Sequence, residues 1–335
     1  MSWSEAADAA QRVLADRFWH PRFHIYQRIP GRRRLAVRLE WDYWIQAHAL
    51  DVTVDAAART GSTALRDRIR AHVDGIVRRN GGRIVNRYYD DMAWMAIALL
   101  RADEVAGADT GPLIRELWTD IRAGWDKKHG GIVWRRDDPR PYTNAPANGP
   151  AAILAARLHR RYGDPADLDW ARRIAGWLQE SLVDPGSGIV WDGTHPYEDP
   201  SVDRTVWTYN QGTVVGAEVQ LWQLTGDRVH LDRARRTATA TLNRYGEGFP
   251  VEGAGDGSVF KGILARYLGD LVRADPDGSQ RVRVALASSG TAVAAAAGAP
   301  VGVDWQHPTA SEAGLGSEVS AALLLEALAG LERPM

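Results

Sequence analysis

Apolar residues recur at helical spacing in twelve separate stretches, near residues 3–18, 41–59, 63–79, 91–106, 110–126, 148–162, 166–183, 211–225, 228–245, 258–274, 278–298 and 317–332. This repetition constrains the fold more than any other feature of the chain. Tight turns with a central glycine join some neighbours, at Thr60-Gly61-Ser62, Tyr162-Gly163-Asp164 and Thr225-Gly226-Asp227, which makes those pairs antiparallel hairpins. The longer connections look alike: Gly81-Gly82-Arg83-Ile84-Val85, Gly130-Gly131-Ile132-Val133-Trp134, Gly188-Ile189-Val190-Trp191 and Gly246-Glu247-Gly248-Phe249. Each sets glycine before β-branched or aromatic residues, enough for a strand of about two or three residues, then feeds a polar-aromatic cluster that opens the next helix. A unit of roughly 50 to 60 residues repeated in this way buries its faces only against its neighbours. Six such hairpins can close into a ring with the even-numbered helices inside, and the Ala-rich runs Ala93–Ala102, Ala151–Ala156 and Ala321–Ala329 suit helices buried on several faces. The expected fold is all-α, a single domain over residues 1–335, with the long loops and their short β pieces gathered at one rim, where a pocket belongs.

Charge narrows the partners. With 41 Lys+Arg against 42 Asp+Glu and a pI near 6.8, no net field draws in nucleic acid or an anionic membrane. The triplet Arg32-Arg33-Arg34 reads as a solvated turn. The absence of cysteine excludes disulfides, thiolate metal sites and cysteine nucleophiles. The N-terminus lacks the basic start and apolar block of a signal peptide, and Ala285–Val303 is small and glycine-interrupted. A soluble, cytoplasmic protein, monomeric or weakly oligomeric, is expected. Fourteen tryptophans against four phenylalanines are unusual, because indole joins a flat apolar face to an N–H donor and so suits the face and hydroxyl edge of a pyranose. Trp118, Trp170, Trp177 and Trp222, on helix faces, read instead as core.

Tyr88-Tyr89-Asp90-Asp91 places two adjacent carboxylates at the start of a helix. Like charges side by side repel, so folding alone gives little reason for them beyond capping the helix. A sugar-cleaving site gives another, since one carboxyl must stay protonated while its neighbour stays ionised. Other inner helices open on comparable clusters. In Trp41-Asp42-Tyr43-Trp44-Ile45-Gln46-Ala47-His48, Trp44 and His48 share a face, and His48 reads as a buried, bonded histidine or a site residue. In Pro141-Tyr142-Thr143-Asn144-Ala145-Pro146-Ala147-Asn148, Asn144 can meet vicinal hydroxyls while Asn148 can cap the helix. Thr205-Val206-Trp207-Thr208-Tyr209-Asn210-Gln211-Gly212 holds more hydrogen-bonding groups than a cap needs, which favours a pocket, and Lys261 near a helix start opposes the dipole.

Tyr88-Tyr89-Asp90-Asp91-Met92-Ala93-Trp94 with Leu99-Leu100, Trp207-Thr208-Tyr209-Asn210-Gln211-Gly212, and Phe260-Lys261-Gly262-Ile263 with Arg266-Tyr267 together resemble glycoside hydrolase family 76, the α-1,6-mannanases. Trp44 with Gln46-Ala47-His48, and Asn144-Ala145 with Asn148, fit the same pattern, so the resemblance covers about residues 41–270. It implies an (α/α)6 barrel and a retaining hydrolase of α-mannosidic bonds, endo-α-1,6-mannanase-like, that needs no metal or organic cofactor. It also implies Asp90 as nucleophile and Asp91 as general acid/base, their carboxyls about 5 to 5.5 Å apart. Trp44, Gln46, His48, Tyr89, Trp94, Asn144, Trp207, Tyr209, Asn210, Gln211 and Lys261 are the expected contacts to an α-mannooligosaccharide or mannan. Met92, Met95 and Gly149-Pro150 depart from the family pattern, which predicts altered contacts to flanking sugars. Two other readings compete. A sugar isomerase of the acylglucosamine-epimerase type would rely on histidine pairs, for which the motifs offer His48, with His195 and His307 unplaced; a binding barrel would keep the ring without turnover.

Overall fold

Glycine decides where several of the inner helices stop. In the computed structural model, which describes residues 1–28, 41–197 and 199–332, Gly61, Gly107, Gly163 and Gly226 follow helices with φ between 59° and 77°, a left-handed turn that side-chain-bearing residues rarely adopt. Arg32-Arg33-Arg34 lies outside the described residues. Twelve α-helices are present among the described residues: α1 Trp3–Phe18, α2 Tyr43–Thr60, α3 Thr63–Arg79, α4 Tyr89–Ala106, α5 Gly111–Ala123, α6 Ala145–Tyr162, α7 Pro165–Ser181, α8 Thr208–Thr225, α9 Arg228–Tyr245, α10 Gly257–Ala274, α11 Gln280–Ala295 and α12 Leu315–Leu331.

The even-numbered helices pack each on the next, and α12 packs back on α2, so the inner ring closes as an (α/α)6 barrel. Five hairpins run from an inner helix to the following outer one, α2 with α3 through α10 with α11. The sixth has no turn, because α12 ends the chain and takes α1, the first helix, as its outer partner. Small residues let inner helices approach closely: a Cβ on Gly212 would come within 2.7 Å of Leu264 Cα, and one on Gly262 within 2.5 Å of Ser320 Cα. No described helix is long and apolar enough to cross a membrane.

Helices α4, α6 and α8 begin two to three residues earlier than the sequence pattern suggests, at Tyr89, Ala145 and Thr208. The polar-aromatic clusters therefore lie in first helical turns, on rigid backbone, instead of in loops. The β structure is sparse: β1 Trp19–His20 pairs with β2 Ile25–Tyr26, and β3 Thr143–Asn144, β4 Gly193–His195 and β5 Asp199–Asp203 form a three-stranded antiparallel sheet. Two of the expected extended connections make single bridges, Trp125 to Ile132 with Val133 to Thr143, and Val183 to Val190.

A repeated device ties those connections to the ring. The fourth residue of α2, α6, α8 and α12 is Gln46, Asn148, Gln211 and Glu318. Gln46 accepts from Tyr26 N at 2.9 Å and donates to Tyr26 O at 2.8 Å. Asn148 treats Ile132 the same way at 2.7 and 2.8 Å, and Gln211 clamps Val190 at 2.8 and 2.8 Å. Glu318 accepts from Val301 N at 2.7 Å. Asn148 is thus a loop clamp inside α6 and not its cap; Asn144 is the cap, accepting from Ala147 N at 3.2 Å. In α4 the same place belongs to Met92, fully buried like Met95, so neither methionine side chain is open to solvent.

Candidate active site

At the helix-start end of the ring lies a cleft of about 660 Å³. Its lining includes Asp90 and Asp91, the aromatic residues Trp41, Trp44, Tyr88, Trp94, Trp134, Tyr142, Trp207, Tyr209 and Phe260, and three further carboxylates, Asp42, Asp192 and Asp256. Among the described lining residues there is no lysine, arginine or histidine, so no lining cation offsets the carboxylates that face the cleft.

Asp90 and Asp91 occupy the first turn of α4, where Tyr88 stands as cap without a side-chain bond. Asp90 Oδ1 accepts from the Asp91 amide at 2.9 Å and Oδ2 from the Trp134 indole at 3.0 Å. Burial lifts its carboxyl to about 6, while those two donors pull the other way. Among the described residues, Asp91 accepts one side-chain bond, from the Asn86 amide at 2.5 Å. Burial pushes it well above the usual carboxylate range, and the Asp90 charge pushes it further. Neither aspartate is spent on capping alone. The two environments differ: Asp90, with two donors, is the more readily ionised, and Asp91, facing the Asp90 charge, is the more readily protonated.

Of the residues singled out in the sequence, Trp44, Trp94, Asn144, Trp207 and Tyr209 line the cleft with the acidic pair. Tyr209 stacks on Phe260 at 3.9 Å, with Trp207 edge-on to the same ring at 5.6 Å. Six others do not line it. Gln46 and Gln211 are consumed by their backbone clamps. His48 lies under Trp44 and Trp94, 4.6 Å from the latter's ring, and burial lowers it to about 3, leaving it neutral. Tyr89 points outward, against Gly124 and Arg136. Asn210 donates to Asp192 at 2.9 Å, so it supports the wall without facing the cleft. Lys261 is buried over the Trp305 ring at 4.7 Å and donates to the Val303 carbonyl, fastening a loop.

Sequence reading missed Asp192, Trp134, Tyr142 and Asn86. Asp192 accepts from Tyr142 Oη at 2.6 Å as well as from Asn210, and burial raises its carboxyl. Trp134 and Trp191-Asp192 do follow the glycine-led connections, so the repeat pointed to their segments although not to the way the side chains turn. Glu252, also missed, caps α8 by accepting from Thr208 N at 2.8 Å, and burial raises it to about 7.

The profile of Glycosyl hydrolase family 76 matches residues 2–334. The chain belongs to this family. Its curated relatives include the mannan endo-1,6-alpha-mannosidase DCW1 of Candida glabrata, 28% identical over 61% of this chain and 51% of that protein. The DCW1 protein of Saccharomyces cerevisiae is 25% identical over 73% of this chain and 61% of its own length. The chain therefore spans between half and two thirds of these relatives. Among solved structures, an α-1,6-mannanase of Salegentibacter sp. HEL1_6 superposes with a TM-score of 0.90 at 32% identity, covering 99% of this chain and 100% of that one. An inactive variant of that mannanase, with two consecutive aspartates changed to asparagine, was solved with α-1,6-mannotriose and matches equally well, TM-score 0.90 and 32% identity over 99% of this chain and 100% of that one.

Proposed function

We propose that the whole chain is one catalytic unit, a retaining hydrolase of α-1,6-linked mannan or mannooligosaccharides, with Asp90 as nucleophile and Asp91 as general acid/base. The observation that carries this reading is the pair of adjacent carboxyls on the first turn of α4, both in an aromatic cleft and held in unequal surroundings. Asp91 protonates the departing glycosidic oxygen while Asp90 attacks the anomeric carbon, giving a glycosyl-enzyme ester. Asp91, now ionised, takes a proton from water, which attacks the same carbon and releases Asp90. The indole N–H of Trp134 favours the ionised form of Asp90, and the aromatic walls offer faces for sugar rings. The loss of activity in the neighbour with two changed consecutive aspartates, and its mannotriose complex, support the same assignment.

Asp90→Ala is expected to abolish release of reducing ends from α-1,6-mannooligosaccharides while leaving the thermal transition in place. A wild-type chain inactive on every α-1,6-mannan would refute the substrate. The isomerase reading lacks its histidines: no described residue lining the cleft is one, His195 packs on Tyr142, and His307 is exposed beside Asp304.

A further inference from the structure

The connection into α4 lacks the clamp that α2, α6 and α8 place on theirs, because the fourth residue of α4 is Met92. Other side chains fix it. Asn80, just past the end of α3, donates to the carbonyls of Arg83 and Val85 at 3.0 Å each, and the Tyr43 hydroxyl of α2 donates to that of Ile84 at 2.5 Å. Further along, Arg136 N donates to Arg87 O and Tyr89 N to Trp134 O, both at 2.9 Å. Asn86, between these ties, belongs to no helix or strand, yet its backbone is held from both sides.

The Asn86 amide has one workable orientation. Its Oδ1 accepts from the backbone amide of Arg87 and, at 3.3 Å, from that of Tyr88, and both of these groups can only donate. Turned over, the amide would set Nδ2 against two donors, so Nδ2 is the atom that faces Asp91 Oδ2 at 2.5 Å, and it donates. Oδ2 of Asp91 is therefore an acceptor. Asp91 Oδ1, which no described residue bonds, is left to the cleft that Asp91 lines. In Asp90, by contrast, both oxygens accept, one from the Asp91 amide and one from the Trp134 indole. Two occupied oxygens suit a carboxylate; one occupied and one open suit an acid whose proton leaves on a defined side.

We propose that Asn86 is a positioning residue for the general acid, holding Asp91 Oδ2 so that the transferable proton stands on Oδ1. The inference rests on the role given to Asp91 above. As Asp90 bonds to the anomeric carbon, the bond from that carbon to the glycosidic oxygen breaks, its electron pair goes to the oxygen, and Asp91 Oδ1–H supplies the proton. Oδ1 then takes a proton back from the attacking water. Asn86 Nδ2–H donates to Oδ2 throughout, and more strongly to the anion, so it eases the ionisation of Asp91. The charged groups that face Asp91 all oppose that ionisation: Asp90 beside it, Asp256 before α10 and Asp42 before α2, the last paired with Arg28 at 3.4 Å.

Two substrates separate this role from a structural one. An α-1,6-mannotetraose needs a proton at its departing oxygen, whereas a dinitrophenyl α-1,6-mannobioside does not, because dinitrophenolate leaves unaided; kcat/KM reports the first step of both. Asn86→Asp keeps the oxygen that accepts from Arg87 and Tyr88 and replaces the donor with a second acceptor, while Asn86→Ala removes both groups. Each variant should lose about tenfold or more in kcat/KM on the tetraose and stay within about threefold of the wild type on the aryl substrate. The alkaline limb on the tetraose should rise by about half to one unit in Asn86→Ala, and further in Asn86→Asp, which adds a charge. Asp91→Ala serves as the reference, and its loss should likewise fall on the tetraose alone. Equal losses on both substrates in Asp91→Ala would remove Asp91 as general acid and this inference with it. If Asp91→Ala discriminates between the substrates and Asn86→Asp does not, through equal losses or through wild-type activity with an unmoved alkaline limb, Asn86 serves the turn alone and the proposal is overturned.

Discussion

At the residue scale the unequal surroundings of Asp90 and Asp91 make a pH prediction. The proposed mechanism requires Asp90 ionised and Asp91 protonated, so the acidic limb of kcat/KM should follow Asp90, near 6, and the alkaline limb Asp91, higher. Trp134→Phe removes a donor to ionised Asp90, and the acidic limb should move up by about half to one unit; an unmoved limb would deny the indole this role. Stability carries the opposite sign. Both carboxyls are raised above an ordinary 3.8, so their favourable contribution is complete below that value and is lost as pH rises through their folded values. Asp91→Asn should therefore melt higher than the wild type at pH about 8, by on the order of 1–3 kcal/mol, and equally near pH 4, as read by scanning calorimetry. The doublet was legible because its members are sequence neighbours. Trp134, Asp192 and Asn86 were not, since they reach the cleft from separate loops and nothing local fixes which way a loop side chain turns.

At the element scale, the surplus amides at inner-helix starts were visible in the sequence, but their purpose was misread. A pocket and a backbone clamp ask for the same residue, an amide with both donor and acceptor, and only the spacing separates them. Gln46, Asn148 and Gln211 all sit fourth in their helices, which turns them toward the preceding connection, whereas Trp44, Asp90 and Tyr209, each second, face the cleft. Gln211→Leu should leave the buried N–H and C=O of Val190 without their side-chain partner, costing about 2–4 kcal/mol in denaturant unfolding. The effect should extend to activity, because Val190 lies two residues before Asp192 on the cleft wall. Faster hydrogen exchange at Val190 is the direct readout, and unchanged exchange would dismiss the clamp.

At the scale of the whole molecule, the count of twelve helices, the inner and outer sets and a closed ring of six hairpins were readable from periodicity, while the pairing of the last helix with the first was not. The pattern shows hairpins where a turn joins two helices, and the last hairpin joins α12 to α1, the two ends of the chain. Its seam is charged. Arg59 at the end of α2 grips Glu326 of α12 by two bonds of 2.8 and 3.0 Å, and Gln11 of α1 donates to the same carboxylate at 3.1 Å. Both ionic side chains are nearly buried, 7% and 2% exposed, and Arg59 also pairs with Asp8 at 2.8 Å, so it is the loss of Arg59 that strands Glu326. Arg59→Met should destabilise the protein by about 3–5 kcal/mol at pH 8, measured by denaturant unfolding. Burial already raises Glu326, and losing Arg59 raises it further, so the stranded charge takes up a proton as pH falls. The deficit should accordingly shrink toward pH 5, and the double variant Arg59→Met with Glu326→Leu should recover most of it at both pH values. A deficit independent of pH, or undiminished in the double variant, would mean that the seam is held by the packing of α1 and α2 on α12, with the ion pair only riding on it.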